Sequence, residues 1–331
     1  MKIGFIGAGR WALTLGIKLA EKGLKVALYE PDEQKLNQLL NNRRHPDLPE
    51  KCLIPESIQL SSDQSEVLNG ADIAVFATPS SALADACRNA IADINRFCKI
   101  VVSVTKGIDP ETKNRLSVVL SKDIKNIPVV VLAGPGIPYE VAIGDPTSLV
   151  AVSNDETSAQ TVRDIFTFGN LRVYSHTDVV GVEIAAAFKN VIAIAAGIAD
   201  GIGLGLNTKS ALLTRGLAEI TRLGLALNAN PLTFAGLAGM GDLIVTAFSP
   251  HSRNHQLGLA IGKGKEPATA LKELTGVAEG YHTARTGFEL SRKMWIEMPI
   301  TEEIYKILYQ NEKPENSLIR LLKRPTKKEF Y

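Results

Sequence analysis

Residues 1–30 read MKIGFIGAGRWALTLGIKLAEKGLKVALYE, and this stretch decides the fold of the N-terminal half of the chain. The apolar run Met1–Ile6 predicts a short buried strand, which leads directly into Gly7-Ala8-Gly9 and then into an amphipathic helix. A second apolar run, Lys25–Tyr29, predicts the next strand. A strand, a glycine turn, a helix and a second strand form a βαβ unit, which is typical of a parallel sheet.

Strand and helix patterns alternate as far as Asp178, and helical patterns alone follow. Further strand patterns lie at Ile58–Leu60, Ile73–Ala77, Ile100–Val104, Val129–Leu132, Ser148–Val152 and Arg172–Tyr174. The helical patterns after Asp178 lie at Val179–Ala199, Lys209–Leu227, Pro231–Thr246, Arg253–Lys263, Glu279–Arg292 and Thr301–Tyr309. We therefore predict an α/β Rossmann-type domain with a mostly parallel sheet over residues 1–178, and an all-α domain over residues 179–331.

The composition is that of a globular protein with two domains. The chain has 331 residues, of which 45% are hydrophobic and 22% are charged, and its formal net charge is +2. So small a charge does not favour nucleic acid or a membrane surface as a partner, although a small anionic substrate needs only a local site. Three cysteines, Cys52, Cys87 and Cys98, have neither CxxC nor zinc-site spacing, which indicates a reducing compartment.

The longest apolar run resembles a membrane span only in length. Glu183 and Lys189 interrupt the run Val179–Ala199, and neither matching flanks nor an aromatic belt follows it. We therefore predict a buried core helix, no membrane insertion and a cytoplasmic protein.

The glycine turn after the first strand has the pattern of a dinucleotide-binding site. Gly7 allows the tight turn, Gly9 lets a pyrophosphate approach the backbone, and Ala12 is small enough for a helix to pack on the sheet. The helix that follows directs free N–H groups and a positive dipole end towards the phosphates. An ordinary glycine turn is the alternative, but the complete βαβ context favours a nicotinamide dinucleotide and a dehydrogenase.

Glu30 bears on which nicotinamide cofactor is used. It lies at the end of the second strand, where an acidic residue accepts hydrogen bonds from the adenosine ribose hydroxyls. A carboxylate there repels the 2′-phosphate of NADP, so we predict that NAD is preferred. The alternative is that Glu30 points into solvent and discriminates between neither cofactor.

Two lysines are candidates for contact with the substrate. Lys106 follows the strand that ends at Val104, and ligands of parallel sheets bind beyond the carboxyl ends of strands. Lys189 lies inside an apolar helix, where burial lowers the pKa of a lysine and suits it to exchange a proton with an alcohol or carbonyl oxygen. The alternatives are a solvated loop lysine at 106 and a snorkelling side chain at 189.

Ser252-Arg253-Asn254 begins a predicted helix and combines a cation with two hydrogen-bonding side chains. This arrangement suits a phosphate or a carboxylate. The alternative is a capping serine followed by a surface arginine. His251 and His255 have metal-ligand spacing, but the sequence offers no third ligand, so we predict no metal site.

In combination, these motifs resemble the NAD(P)-dependent glycerol-3-phosphate dehydrogenases of bacterial type. The shared segments, in chain order, are Gly7-Ala8-Gly9, Val104-Thr105-Lys106-Gly107, Ala133-Gly134-Pro135, Lys189-Asn190-Val191-Ile192-Ala193, Thr214-Arg215-Gly216-Leu217, Ala238-Gly239-Met240-Gly241-Asp242-Leu243, Ser252-Arg253-Asn254, Glu279-Gly280 and Met298-Pro299-Ile300-Thr301-Glu302-Glu303. They span nearly the whole chain in the family's order.

The resemblance implies reversible interconversion of dihydroxyacetone phosphate and sn-glycerol 3-phosphate with NAD(P), a supply of glycerol 3-phosphate for phospholipid synthesis, and a homodimer. It implies that Lys189 is the catalytic proton donor or acceptor. The implied substrate-binding residues are Lys106, Gly134, Gly136, Lys189, Asp242, Ser252, Arg253 and Asn254. With the glycine turn and Glu30, the cofactor-binding residues are Gly7, Gly9, Arg10, Trp11, Ala12, Glu30, Lys106, Pro138, Arg253, Val277 and Glu279.

Several positions depart from the family's motifs. Ala12 replaces the third glycine of the fingerprint, and His255 replaces an arginine that is common after the Ser-Arg-Asn motif. Gly136 lacks a hydroxyl and Pro138 lacks a backbone N–H, so two potential polar contacts with the substrate are absent.

Two alternative functions stay open. The altered loop at Gly136 permits a related two-domain dehydrogenase that acts on another small phosphorylated or hydroxy-acid substrate. A catalytically weak, NAD-sensing binding protein is the other, although it would have no need of a proton-transferring lysine at position 189.

Overall fold

The computed structural model describes residues 1–326, 328 and 329. The N-terminal half contains one sheet whose strands are β1 (Lys2–Ile6), β2 (Lys25–Tyr29), β3 (Gln59–Ser61), β4 (Ile73–Phe76), β5 (Ile100–Ser103), β6 (Val129–Ala133), β7 (Thr147–Val152) and β8 (Leu171–His176). Its helices are α1 (Arg10–Glu21), α2 (Glu33–Asn42), α3 (Gln64–Leu68), α4 (Leu83–Phe97), α5 (Leu116–Asp123), α6 (Pro138–Ile143) and α7 (Glu156–Phe166). A short 3₁₀ turn precedes α4.

The sheet has the order β3-β2-β1-β4-β5-β6-β7-β8, and only β6 and β7 pair antiparallel. Alternate strand residues face opposite sides, because Phe5 belongs to the apolar core beneath α1 and Ile6 to the core beneath α4. The predicted α/β Rossmann-type fold is therefore confirmed. The order in which successive strands are added to the sheet reverses between the parallel neighbours β1 and β4, and the crevice beyond their carboxyl ends is where such sheets bind ligands.

The C-terminal half is helical, as predicted. Its helices are α8 (Val179–Ile202), α9 (Leu206–Ala226), α10 (Pro231–Ala235), α11 (Asp242–Phe248), α12 (Arg253–Gly262), α13 (Pro267–Glu273), α14 (Glu279–Met294), α15 (Pro299–Gln310) and α16 (Pro314–Leu322). The end of the predicted second domain, at residue 331, lies outside the described residues.

Helix α8 is the central element of this half. Among the described residues, α8 is the one helix that is both long enough and apolar enough to cross a membrane. However, 94% of its most apolar 18-residue stretch is buried inside the protein. Its polar side chains have partners: Glu183 accepts hydrogen bonds from Ser117 N at 2.8 Å and from Arg115 Nη1 at 2.6 Å, which ties α8 to the first turn of α5. It is thus the buried core helix that the sequence predicted.

One prediction about this half was wrong and two helices were missed. The segment Pro231–Thr246 is not one helix: α10 ends at Ala235, a π-helical turn follows at Leu237–Gly241, and α11 begins at Asp242. Helix α10 ends because Gly236 has extended backbone with ψ −166°, and the turn that follows brings Gly239 so close to the Phe234 backbone that a Cβ there would overlap it. Helices α13 and α16 were not predicted, since both are short and begin at a proline.

Helices α8 and α12 meet backbone to backbone through glycines. Gly197 and Gly201 of α8 face Gly258 and Gly262 of α12, and each pair is spaced four residues apart on one helix face. A Cβ at Gly258 would overlap the Ile194 carbonyl oxygen. The close approach seats the Ser252-Arg253-Asn254 motif at the start of α12 beside α8.

We expect Gly258→Ala to lower the free energy of unfolding by about 2–3 kcal/mol, because the added methyl group must push two rigid helices apart. Gly205→Ala is the matched control: nothing lies within 4 Å of a Cβ there, and the change should cost less than about 1 kcal/mol. Urea unfolding of both variants measures the difference. Equal stabilities would show that the helices adjust without cost.

Candidate active site between the two domains

The glycine turn has the geometry that a dinucleotide requires. Gly7 has φ +113°, and a Cβ there would come within 2.8 Å of the Ala77 carbonyl oxygen after β4. Nothing lies within 4 Å of a Cβ at Gly9, so the backbone at this point is open to a ligand. Ala12 is buried in α1 against the sheet. These positions match the roles predicted for a tight turn, close approach and packing.

Polar groups around this crevice are left for a ligand. No side chain caps α1, so the N–H groups of its first turn are without a side-chain acceptor. The Thr78 hydroxyl oxygen is buried and has no hydrogen-bond partner among the described residues. Thr78 follows Ala77 directly, at the switch point of the sheet. A pyrophosphate or ribose would supply the missing partners, so the crevice fits a dinucleotide.

Glu30 lies one strand away from the glycine turn. Its backbone N–H donates to Ser61 O at 3.0 Å, and the adjacent Tyr29 carbonyl accepts from Gly7 N at 3.1 Å. Burial raises the pKa of the Glu30 carboxyl, and a hydrogen bond from Asp32 N at 3.1 Å opposes that shift. The carboxylate is thus partly buried at the edge of the crevice and does not point freely into solvent.

The strongest polar cluster joins the two halves of the chain through one carboxylate. Asp242, which is 1% exposed, accepts from Lys189 Nζ at 2.6 Å on Oδ1 and from Lys106 Nζ at 2.7 Å on Oδ2. Lys189 also bonds the Thr246 hydroxyl at 2.5 Å, and Lys106 donates to the Gly134 carbonyl at 2.9 Å. Neither alternative reading of the lysines holds, because Lys189 does not snorkel and Lys106 is not a solvated loop residue.

Burial sets the protonation of the lysine in this cluster. It lowers the pKa of Lys189 to about 7; the Asp242 carboxylate opposes the shift and the Lys106 charge adds to it. Lys189 can therefore exist in either form near neutral pH, as a proton donor and acceptor must.

A second chain of hydrogen bonds runs beside the lysine. Asn254 Nδ2 donates to Asn190 Oδ1 at 3.0 Å, and Asn254 Oδ1 accepts from Gly280 N at 2.9 Å. Glu279, the residue before Gly280, accepts from Ser80 N at 3.0 Å and from Ser80 Oγ at 2.5 Å. Asn254 and Glu279 thus connect α8, α12 and α14 with the loop that follows β4, across the cleft between the halves.

Arg253 and Arg10 form a basic edge of the cleft. Burial lowers the pKa of Arg253, and the positive charge of Arg10 lowers it further. Gly276 lies directly against the Arg253 guanidinium, and Arg10 Nε lies 3.8 Å from the Asp47 carboxylate. Val277, one residue further, is 37% exposed. Two cations on opposite sides of a cleft suit an anionic ligand.

Ser252 caps a helix, which was the alternative to its predicted role as a phosphate or carboxylate ligand. It is the N-cap of α12, and its hydroxyl accepts from His255 N at 3.3 Å. His255, in place of the family's arginine, bonds Asp200 Oδ2 through Nε2 at 2.7 Å, and Lys209 bonds the same carboxylate. His255 therefore belongs to an ion-pair network at the far end of α8 and lies outside the Lys189 cluster.

The altered loop after β6 is explained by its neighbour. Gly134 has φ +122°, and a Cβ at Gly136 would come within 2.9 Å of the Trp11 indole. Trp11 therefore occupies the space that a side chain at 136 would need. Pro138 is the first residue of α6, where a missing N–H costs nothing, and its carbonyl lies 3.4 Å from the Thr14 hydroxyl.

Three residues that hydrogen-bond to the candidate site were not predicted from the sequence: Thr246, Asn190 and Ser80. Thr246 is four residues after Asp242, which places both on one face of α11, so the spacing was a usable signal. Asn190 directly follows Lys189, the candidate proton donor, in the chain. Nothing in the sequence pairs Ser80 with a residue 199 positions away. The described residues contain no group of three or more metal-ligating side chains.

Two family models match the chain in succession. The model of the NAD-dependent glycerol-3-phosphate dehydrogenase N-terminus matches residues 2–159, and that of the C-terminus matches residues 178–319. The chain belongs to the NAD-dependent glycerol-3-phosphate dehydrogenase family. The resemblance stated from the sequence is confirmed, and the chain is an oxidoreductase of this family that uses a nicotinamide cofactor.

Individual members of the glycerol-3-phosphate dehydrogenase family resemble the chain over its whole length. A glycerol-3-phosphate dehydrogenase [NAD(P)+] from Clostridium perfringens (strain SM101 / Type A) is 44% identical over 99% of each chain, and one from Clostridium acetobutylicum is 42% identical over 99% of each. The crystal structure of the glycerol-3-phosphate dehydrogenase from Coxiella burnetii aligns with a TM-score of 0.93 at 31% identity, over 98% of this chain and 99% of that one.

Proposed function

We propose that the protein catalyses the reversible NAD(P)-linked interconversion of dihydroxyacetone phosphate and sn-glycerol 3-phosphate. The observation that carries the proposal is the buried cluster in which Asp242 holds Lys189 and Lys106 at 2.6 and 2.7 Å. A ketone oxygen gains negative charge when its carbon accepts a hydride, so it needs a nearby proton donor and a nearby positive charge. The relatives' names supply the substrate.

In the proposed mechanism the nicotinamide, when bound, supplies a hydride to the ketone carbon. Lys189 gives its proton to the ketone oxygen during reduction, and neutral Lys189 takes a proton from the hydroxyl group during oxidation. Asp242 keeps the Lys189 ammonium oriented, and the Lys106 charge stabilises the developing alkoxide. Thr246 restricts Lys189 further, because its hydroxyl bonds both Nζ and the Asp242 carbonyl.

The other predicted site residues divide between the substrate and the cofactor. We assign the substrate phosphate to Arg253, helped by Asn254, and we assign to Ser252 a supporting role through the helix cap. The pyrophosphate is assigned to Gly7, Gly9 and the first turn of α1 with Arg10, Trp11 and Ala12. The nicotinamide side of the cleft is assigned to Lys106, Gly134, Gly136, Pro138, Val277 and Glu279. Glu30 is assigned to the adenosine ribose.

A single assay tests the function. NADH oxidation is followed at neutral pH with dihydroxyacetone phosphate, with other small ketones and keto acids, and without substrate. Turnover that depends on dihydroxyacetone phosphate supports the proposal. Preference for another ketone would favour a related dehydrogenase, and NADH binding without turnover would favour a sensing protein.

The lowered pKa of Lys189 predicts how the rates depend on pH. Reduction needs the protonated lysine, so kcat for ketone reduction should fall as pH rises through about 7. Oxidation needs the neutral lysine, so kcat for alcohol oxidation should rise over the same range. The substrate phosphate also titrates, near pH 6, but it affects both directions. Slopes of the same sign in the two directions would contradict a lysine proton donor.

We further propose that NAD is preferred over NADP because of Glu30. The wild-type ratio of kcat/KM for NADH over NADPH should exceed about 10, since a carboxylate beside a 2′-phosphate costs roughly 1–2 kcal/mol at a partly buried site. Glu30→Gln should lower this ratio by about tenfold. Glu33→Gln, an exposed change on the same segment, should leave it unchanged. A wild-type preference for NADPH would reject the assignment.

The remaining proposals concern the domain boundary, the oligomeric state and the place of the protein in the cell. We place the domain boundary at Asp178, which caps α8 by accepting from Gly181 N at 2.9 Å; a fragment 1–178 that binds NADH would support this division. We propose a homodimer, supported by the exposed apolar residues Ile244 and Phe248 on one face of α11 and Met240 in the π-helical turn before it. Sedimentation should give twice the chain mass of 35.7 kDa.

We also propose a cytoplasmic location and a supply of glycerol 3-phosphate to phospholipid synthesis, which depletion in cells would test.

A further inference from the structure

Trp295 is an unusual surface residue. It is 94% exposed, more than the other exposed large hydrophobic side chains of the described residues. It is also the C-cap of α14 with φ +57°, a left-handed conformation that favours glycine or asparagine and disfavours a bulky side chain. The fold therefore accepts backbone strain at a position where the indole makes no buried contact. Strain retained without a packing benefit indicates a role outside the folding of this chain.

Other apolar and basic side chains lie beside Trp295. Leu322 is 76% exposed and Ile319, on the same face of α16, is 47% exposed. The two helix ends are joined, because Arg324 Nη2 lies 3.3 Å from the Glu297 carboxylate, two residues after Trp295. We define the Trp295 patch by its exposed members Arg292, Lys293, Trp295, Leu322, Lys323 and Arg324.

The charge of this region contrasts with that of the chain. Segments 292–297 and 323–326 contain four lysines and arginines and one glutamate, a net +3, whereas the whole chain has a net +2. Positive charge is thus concentrated around the exposed indole and Leu322. The weak global charge, which argued against a membrane surface, conceals this local excess.

We infer that the Trp295 patch docks the protein on an anionic membrane surface. Indole rings favour the interface between water and hydrocarbon, exposed leucine inserts into the acyl boundary, and surrounding lysines and arginines attract anionic headgroups. A second copy of the chain fits less well, because a two-fold interface would place the basic patch against itself. The docking is peripheral and involves no membrane-spanning segment.

Docking at this patch leaves the catalytic cleft accessible. Helix α14 begins at Glu279, in the cleft, and ends at Met294 beside Trp295. Its sixteen residues separate the two by about 24 Å at 1.5 Å per residue. The inference is therefore independent of the proposed reaction, and vesicle binding and turnover are measured separately.

Cosedimentation of the full chain with vesicles tests the inference. Wild type should bind phosphatidylcholine vesicles that contain phosphatidylglycerol, less at high salt, and should not bind pure phosphatidylcholine. Trp295→Gly should weaken binding by about tenfold, as expected for removing one large apolar side chain from the interface. Because glycine suits the left-handed backbone, this variant should keep or raise the melting temperature and keep wild-type turnover in solution.

Matched variants show whether binding depends on the Trp295 patch itself or only on the net charge and the exposed apolar surface of the chain. Lys293→Glu with Lys323→Glu should abolish binding, whereas Lys122→Glu with Lys125→Glu changes the same charge on an exposed surface elsewhere and should leave measurable binding. Leu232→Ala removes an apolar side chain that is as exposed as Leu322 and should have no effect. The inference is overturned if wild type ignores anionic vesicles, if Trp295→Gly binds normally, or if Trp295→Gly converts a dimer into a monomer.

Discussion

Lys189→Met is expected to lower kcat for dihydroxyacetone phosphate reduction by about 10²- to 10⁴-fold, while the affinity for NADH changes less than about threefold. Methionine is an unbranched apolar side chain only one heavy atom shorter than lysine, but it has no proton to give. The ketone oxygen would then depend on water for its proton, in a site where Lys189 is only 5% exposed. Steady-state kinetics and NADH fluorescence titration measure the two quantities.

Lys209→Met is the matched control for this prediction. Lys209 is also a buried helical lysine, 8% exposed, and it is also paired with an aspartate, Asp200, at 2.9 Å. It lies in the His255 network and not in the Lys189 cluster. Loss of stability without loss of kcat is expected for Lys209→Met. Turnover of Lys189→Met close to wild type would remove Lys189 from the mechanism.

Asp242→Asn should lower the same kcat by about 10²-fold at pH 7. The amide has the shape of the carboxylate but no charge, so two ammonium groups lose their shared counter-ion. Asp242 is the group that opposes the lowering of the Lys189 pKa, and without it the lysine loses its proton more readily. The pH at which reduction declines should therefore move below its wild-type position of about 7.

Activity recovered at acid pH distinguishes this effect from simple damage to the fold. A pH–rate profile of Asp242→Asn, with the melting temperature measured alongside, provides both readings. Glu183→Gln is a useful comparison, because Glu183 is another buried carboxylate on an interdomain contact but lies outside the cluster. It should lower the melting temperature without moving the profile. If the pH–rate profile of Asp242→Asn were the same as that of wild type, Asp242 would not control the pKa of Lys189.

Local patterns were enough to single out several candidate site residues. The glycine turn was recognisable because its roles depend on residue size and on the strand and helix at its sides. Lys189 stood out because a lysine between apolar neighbours in a helix needs a polar partner. Ser252 shows the limit of such reasoning, since a helix cap and a phosphate ligand need the same residue types at the same place.

The sequence by itself determined the α/β half, the helical half, the dinucleotide turn and the candidate lysines, because these follow from periodicity and from contacts between neighbours in the chain. Tertiary structure alone decided which groups meet. Asp242 lies 53 positions from Lys189 and 136 from Lys106, and Ser80 lies 199 from Glu279. Such pairings depend on how distant elements pack, both between the two halves and within the helical half, where glycines bring α8 and α12 together. The shared carboxylate and the lowered pKa of Lys189 arise only once burial and packing are in place.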